Sequence, residues 1–338
     1  MKNLIKTTLS MAVIVMLPAL SPAEDKSIYG RDNRQDYFQM SPDMKALSDS
    51  VVSFWKAGDI EALEPDGVRL NTIGFAEALG LCPWVKYREQ PIGAFCSGAL
   101  VGEDLVLTAG HCVTNADSCA KTRMVFGFSV KKEGEAATTA MSAGEVYGCA
   151  RIVKRFLAGE PGSPLPHGQS MGADYALIKL DRKVTGHKPL LIDRGPGSKD
   201  GYWISVIGHP VGLPVKLADN ATVRDSSRIG YFTANLDTFG GNSGSPVFGA
   251  NKKIVGILVR GDEDFASSPQ GCTTMATYNF YTGGRGEDVT KISAVSASIP
   301  KLPEEKGYAG TARETAVGVD LSGMQAAPDI PSQTVSFD

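Results

Sequence analysis

From Gly93 onward the chain is a succession of short apolar runs broken by turn residues, with no long helical period between them. Runs of strand length cover residues 94–101, 105–109, 124–128, 146–153, 175–180, 202–208, 230–234, 245–248 and 254–260. Strands joined by tight turns, without crossover helices, pair with antiparallel neighbours, so the pattern predicts an all-β barrel or sandwich. The 38 glycines among 338 residues supply the turns such a fold needs. No internal repeat is visible.

The flanks read differently. Ser41-Pro42 is a helix cap followed by a first-turn proline, with Met44, Leu47 and Val51 at helical spacing. Residues 51–55 read equally well as a strand. Residues 70–81 read as an apolar connector or a short helix ending at Gly80. Near the other end Val289, Ile292, Val295 and Ile299 recur at three- or four-residue intervals before Pro300, which predicts a closing helix over 287–299. Residues 301–338 have no period and read as a mobile tail.

Lys2 and Lys6 precede an apolar run at 9–20, and Ser21-Pro22-Ala23 offers a cleavage site, so residues 1–23 read as a secretory signal peptide. That run is too short for a good spanning helix. The expected mature protein is secreted or periplasmic and starts near Glu24, with a brief pro-segment at 24–27 as one option. A net charge of −3 points to neither nucleic acid nor an anionic membrane as partner. Six cysteines (Cys82, Cys96, Cys112, Cys119, Cys149 and Cys272) in an exported chain suggest disulfides. No close CxxC-type pair suggests zinc, and neither metal nor cofactor is expected. The acidic run Asp262-Glu263-Asp264 reads as a solvated turn rather than a calcium loop.

Three strings carry chemistry. Leu107-Thr108-Ala109-Gly110-His111-Cys112 ends a strand with a histidine. Residues 172–180 place Asp174 at the mouth of an apolar strand. Phe239-Gly240-Gly241-Asn242-Ser243-Gly244-Ser245-Pro246-Val247-Phe248 centres a serine in a glycine-rich turn. A turn of this kind alone also occurs in ordinary β-hairpins, so its neighbours decide the reading. A serine hydroxyl is scarcely ionised at neutral pH and needs a base; histidine, with an ordinary pKa of about 6.5, can take and return its proton. A buried aspartate fixes the histidine tautomer, and glycine turns let the amides of Gly241 and Ser243 face a developing oxyanion. Of the other histidines, His167 and His187 lie in loops expected to be solvated, while His209 ends a strand and is the rival base.

In their order and wording these strings resemble the trypsin/chymotrypsin-like serine endopeptidases, with the bacterial glutamyl-endopeptidase branch closest in the GNSGSP form. The resemblance covers about Gly93 to Gly261. It implies two six-stranded antiparallel β-barrels (about 28–180 and 181–285) with the active site in the cleft between them. It further implies His111, Asp174 and Ser243 as a triad, Gly241 and Ser243 as the oxyanion hole, and protein or peptide substrates cleaved through an acyl-enzyme. Cys96 and Cys112 match cysteines that pair in that family; Cys119 with Cys149 is a second expected pair, which leaves Cys82 with Cys272.

Specificity is divided at this level. Asp237, six residues before Ser243, matches the carboxylate that binds Arg or Lys in trypsin-like enzymes. Thr238 matches the pocket threonine of the glutamyl-specific branch, and Arg260 on the adjoining strand would neutralise Asp237 or favour an acidic side chain. Asn242 cannot form the ion pair with a new amino terminus that switches on digestive zymogens; Ile28 or a neighbour is the candidate for an amino terminus that helps read an acidic substrate. A non-catalytic binding protein on the same fold is the reading from a different class.

Overall fold

The computed structural model describes residues 28–278 and 283–306. The expected signal segment, the 24–27 pro-segment and the tail beyond 306 lie outside the described residues. Ser41 caps a helix over Pro42–Ser48, accepting a hydrogen bond from Met44 N, and Asp49 ends it. Val51 therefore starts a strand, which settles the ambiguity of that stretch in favour of β1, Val51–Lys56, whose Val, Phe and Trp side chains are buried.

β1 is followed by β2 (Cys96–Gly102), β3 (Leu105–Thr108), β4 (Thr122–Val125), β5 (Val146–Leu157) and β6 (Asp174–Leu180). They close into a barrel in the order β4-β5-β6-β3-β2-β1, with β1 paired back to β4. Its interior is filled by Val52, Phe54, Leu100, Val106, Met124 and Leu177, all fully buried. The long β5 shifts register twice against β6, which adds the twist a small barrel requires.

The second barrel comprises β7 (Trp203–Gly208), β8 (Lys216–Asp225), β9 (Tyr231–Ala234), β10 (Pro246–Gly249), β11 (Ile254–Arg260) and β12 (Glu287–Lys291). The order is β7-β10-β11-β12-β9-β8, closed by pairing of β7 with β8. Phe232, Leu236, Val247 and Val289 fill it. The fold is thus two six-stranded antiparallel barrels.

Three expectations change. The helix predicted over 287–299 is instead β12 followed by two 3-10 turns, Ile292–Ala294 and Ser296–Ser298. Its apolar spacing is met by Val289 in the barrel core and by Ile292, Val295 and Ile299 packing on the larger core cluster. Strand β8 was not among the expected strands; its polar centre breaks the apolar run, and Asn220 takes a positive φ of 60° at an irregularity in the pairing with β7. Residues 28–36 pair with the second barrel's side of the molecule rather than the first: Ile28–Tyr29 runs parallel to Thr277–Tyr278, and Gln35–Asp36 adds to β8. A buried ion pair, Lys216 Nζ to Asp36 Oδ1 at 2.7 Å, fastens that segment.

Disulfides join Cys96 to Cys112, Cys119 to Cys149, and Cys82 to Cys272, the last across 190 residues. Among the described residues no helix is long and apolar enough to cross a membrane. From Pro303 the chain forms a separate unit, of which the helical turn Pro303–Lys306 is described.

Candidate active site

The β2–β3 hairpin ends in Thr108-Ala109-Gly110-His111, and its backbone is tied inward by Thr108 Oγ1 donating to Ser97 O at 2.7 Å. Gly110 is glycine because a Cβ there would fall 2.7 Å from Phe156 O and 2.9 Å from Asp174 Oδ1. The close approach lets Gly110 N donate to Asp174 Oδ1 at 2.6 Å, with His111 N adding a bond of 3.2 Å. Asp174 opens β6 and is 1 % exposed, so its desolvation has to be matched by donors. The third donor is the His111 ring: Nδ1 lies 2.6 Å from Asp174 Oδ2. With the carboxylate accepting there, Nδ1 carries the proton and Nε2 is the free acceptor, on a side chain that is 37 % exposed.

Two further groups hold this corner. Thr290 on β12 bridges the barrels: its hydroxyl donates to Asp174 O at 2.9 Å and lies 3.0 Å from Asp174 N. Arg155 Nε donates to Gly110 O at 2.6 Å. Neither was found from the sequence; Thr290 sits in a stretch that reads as helix.

The Ser243 turn is docked on the same hairpin. Asn242 N donates to Phe239 O at 3.0 Å and Gly241 has a φ of +84°, the signature of a type II turn with glycine at its third position. A Cβ on Gly241 would fall 2.6 Å from His209 O, and one on Gly244 only 2.2 Å from Ser97 O, so the turn can be built only from glycine. Ser97 is the stitch: its N donates to Ser243 O at 2.8 Å and its Oγ to Gly241 O at 2.8 Å, while His209 N donates to that Oγ at 3.0 Å. Cys112 Sγ lies 3.6 Å from Ser243 O. The serine's backbone thus rests against the residue that follows His111.

The rival histidine is removed from the chemistry. His209 is buried, its Nδ1 donates to Leu213 O at 3.0 Å, and burial pushes its pKa down to about 3. His187, expected in solvent, is instead stacked on Phe126 with Nε2 2.7 Å from Glu145 Oε2. Cys96, His111 and Cys112 offer three donor atoms within 4.8 Å, but both sulfurs are joined in a disulfide, so the group is no metal site.

The expected specificity residues are rearranged. A cavity of about 230 Å³ adjoins Ser243, and its lining includes Arg260 and Glu287 but not Asp237. Asp237 is buried elsewhere, its oxygens accepting Tyr29 N at 2.8 Å and Asn33 N at 3.3 Å, and burial pushes its carboxyl up to about 7. It anchors the N-terminal segment and is not the pocket floor. Nor does Arg260 neutralise Asp237: its Nε pairs with Asp288 Oδ2 at 3.1 Å and its Nη2 donates to Gly172 O at 2.8 Å. Thr238 donates its hydroxyl to Glu287 Oε2 at 2.5 Å and is closed to a substrate carboxylate. Ile28 N donates to Ala276 O at 3.0 Å as part of a sheet. The acidic run at 262–264 is not free in solvent either: Asp262 Oδ2 accepts from Tyr278 and Arg285, and Asp264 Oδ2 from Gly240 N.

Residues 96–257, which hold His111, Asp174 and Ser243, match the family model of the trypsin-like peptidase domain. Among solved structures the chain is similar to the VesB protease of Vibrio cholerae (16 % identity, 79 % of this chain and 66 % of that one, TM-score 0.47). It is also similar to a Glu endopeptidase (16 %, 80 % and 96 %, TM-score 0.42) and to human heparin binding protein (13 %, 79 % and 94 %, TM-score 0.46). No curated protein sequence matches. The trypsin-like peptidase domain is thus matched over residues 96–257, which run from the first barrel into the second.

Proposed function

We propose that the protein is a serine endopeptidase. The observation that carries this reading is the 2.6 Å bond between His111 Nδ1 and Asp174, made on the hairpin to which Ser97 ties the Ser243 turn. Ser243 Oγ attacks the scissile carbonyl carbon while His111 Nε2 takes its proton. The carbonyl oxygen becomes an oxyanion facing the N–H groups of Gly241 and Ser243. Collapse breaks the C–N bond as His111 returns the proton to the leaving amine, and water then releases the acyl group by the same route. Asp174 keeps the ring in the tautomer that this proton traffic requires. We infer export to an oxidising compartment, a reading that the three disulfides and the 1–23 segment support.

The test is covalent labelling by a fluorophosphonate. We expect stoichiometric modification at Ser243, abolished in Ser243→Ala, together with hydrolysis of a casein or peptide-library substrate. A protein that neither labels nor cleaves would be a binding protein on a peptidase fold, and the proposal would fall.

A further inference from the structure

We propose that Glu287 is the group that reads the substrate residue preceding the scissile bond, and that it selects arginine and lysine; this rests on the serine-peptidase reading and names the specificity of that same site. Glu287 lines the cavity beside Ser243 and is 2 % exposed, the one buried ionisable group among its lining residues. Its Oε1 accepts from the Tyr29 hydroxyl at 3.1 Å and its Oε2 from Thr238. Both donors are neutral. Among the described residues no cation comes within 4.0 Å of it.

A buried carboxylate without a cation is costly unless something supplies one. No nearby cation is bonded to it. Arg260, which lines the cavity, and Arg285 both pair with Asp288. Arg224 lies over the Tyr29 ring and donates through Nη1 to Gly283 O, its Nε and Nη2 buried without hydrogen-bond partners. Arg224 and Arg285 thus reach Glu287 only as longer-range charges. Burial pushes Glu287 up to about 8, as expected of an interior carboxyl held only by neutral donors. The neighbouring glycine is part of the construction: a Cβ at Gly261 would fall 2.0 Å from Glu287 Oε2, so only glycine leaves that carboxylate room at the cavity wall.

The cavity lining carries Asp262, Glu263, Asp264 and Glu287 against the single cation Arg260, a balance of charge that favours a cationic side chain over an acidic one. A guanidinium or ammonium entering there gains charge-assisted hydrogen bonds to Glu287, in a site that excludes bulk water. Asp237, which the sequence pattern alone singles out, is occupied by the backbone of the N-terminal segment. Its role in selection has moved to β12.

The experiment uses the purified protein and peptide substrates that differ only at the residue before the cut: Arg, Lys, Leu or Glu. We expect Arg and Lys to lead. Glu287→Gln should lower the Arg-to-Leu ratio of kcat/KM by about 100-fold, as truncation of one partner of a buried charge pair does, whereas Asp237→Asn should shift it less than about fivefold. Benzamidine should inhibit the unmutated protein at concentrations where neutral benzamide does not, a readout that needs no variant to fold. Labelling at Ser243 with Leu or Glu preferred would overturn this inference while leaving the peptidase reading intact. An Arg preference that survives Glu287→Gln but is lost in Asp237→Asn would overturn it in favour of Asp237. Absence of labelling would remove the peptidase reading, and this inference with it.

Discussion

Asp174 and Glu287 are both buried carboxylates, each opening a strand of a different barrel, and their partners set them apart. Asp174 receives two backbone N–H groups and the ring N–H of His111, so its charge is matched from within the chain by a group that can itself become a cation. Glu287 receives two neutral hydroxyls, those of Tyr29 and Thr238, and among the described residues no cation within 4.0 Å. The first arrangement is complete within the chain, which suits the proton relay proposed for it. The second has no bonded cation, which suits the selective pocket proposed for it, since a carboxylate already paired inside the protein has little to offer a ligand.

The largest effect should come from breaking the finished corner. Asp174→Asn keeps the shape but cannot hold His111 in the required tautomer, and kcat should fall by about 10⁴-fold while far-UV circular dichroism is unchanged. A fall below tenfold would mean that Asp174 is only a structural anchor. Next, the double variant Cys82→Ser with Cys272→Ser frees the loop that carries the acidic pocket rim. It should lose roughly 2–5 kcal/mol in denaturant melts, with KM raised more than kcat is lowered. Equal loss in both constants would show that the disulfide serves the Asp174–His111 corner as well.

Thr290→Val tests how the two corners are joined. It removes the hydroxyl that both donates to and accepts from the Asp174 backbone, leaving buried polar groups without partners, and should cost about 1–3 kcal/mol. The smallest effect concerns pH. Burial raises the carboxyls of Glu287 and Asp237 to about 8 and about 7. The native state therefore holds protons that the unfolded chain releases near pH 4. The stability these groups contribute is full below that point and is lost as pH rises toward 7 to 8. Melting temperature should decline over that window, and less steeply in Glu287→Gln. Equal slopes would show that Glu287 is ionised by a partner inside the molecule, contrary to the contrast drawn above.

The turns around Gly110 and Gly241 were legible because their signals are local. Gly110 is dictated by the approach of Asp174, and Gly241 and Gly244 by backbone that would collide with any Cβ, so each string carries its own geometric requirement. The strands of the first barrel from β2 onward were legible for the same reason. Thr290 and Ser97 were not, since a lone hydroxyl in a strand gives no sign of the barrel it will bridge. Lys216–Asp225 was missed because a strand with an irregular polar centre looks like a turn, and Glu287–Lys291 because apolar residues spaced by three or four also suit a strand running into tight turns.

Sequence alone determined most of the strands between Cys96 and Arg260 and the serine turn with its obligatory glycines, because steric demands on the backbone act over a few residues. Which carboxylate faces the cavity was decided only in three dimensions. Tyr29 lies 208 positions from Asp237 and 258 from Glu287, yet its amide occupies the one and its hydroxyl orients the other. A hydrogen bond forms between neighbours in space, and strand pairing across the closed barrel chooses those neighbours.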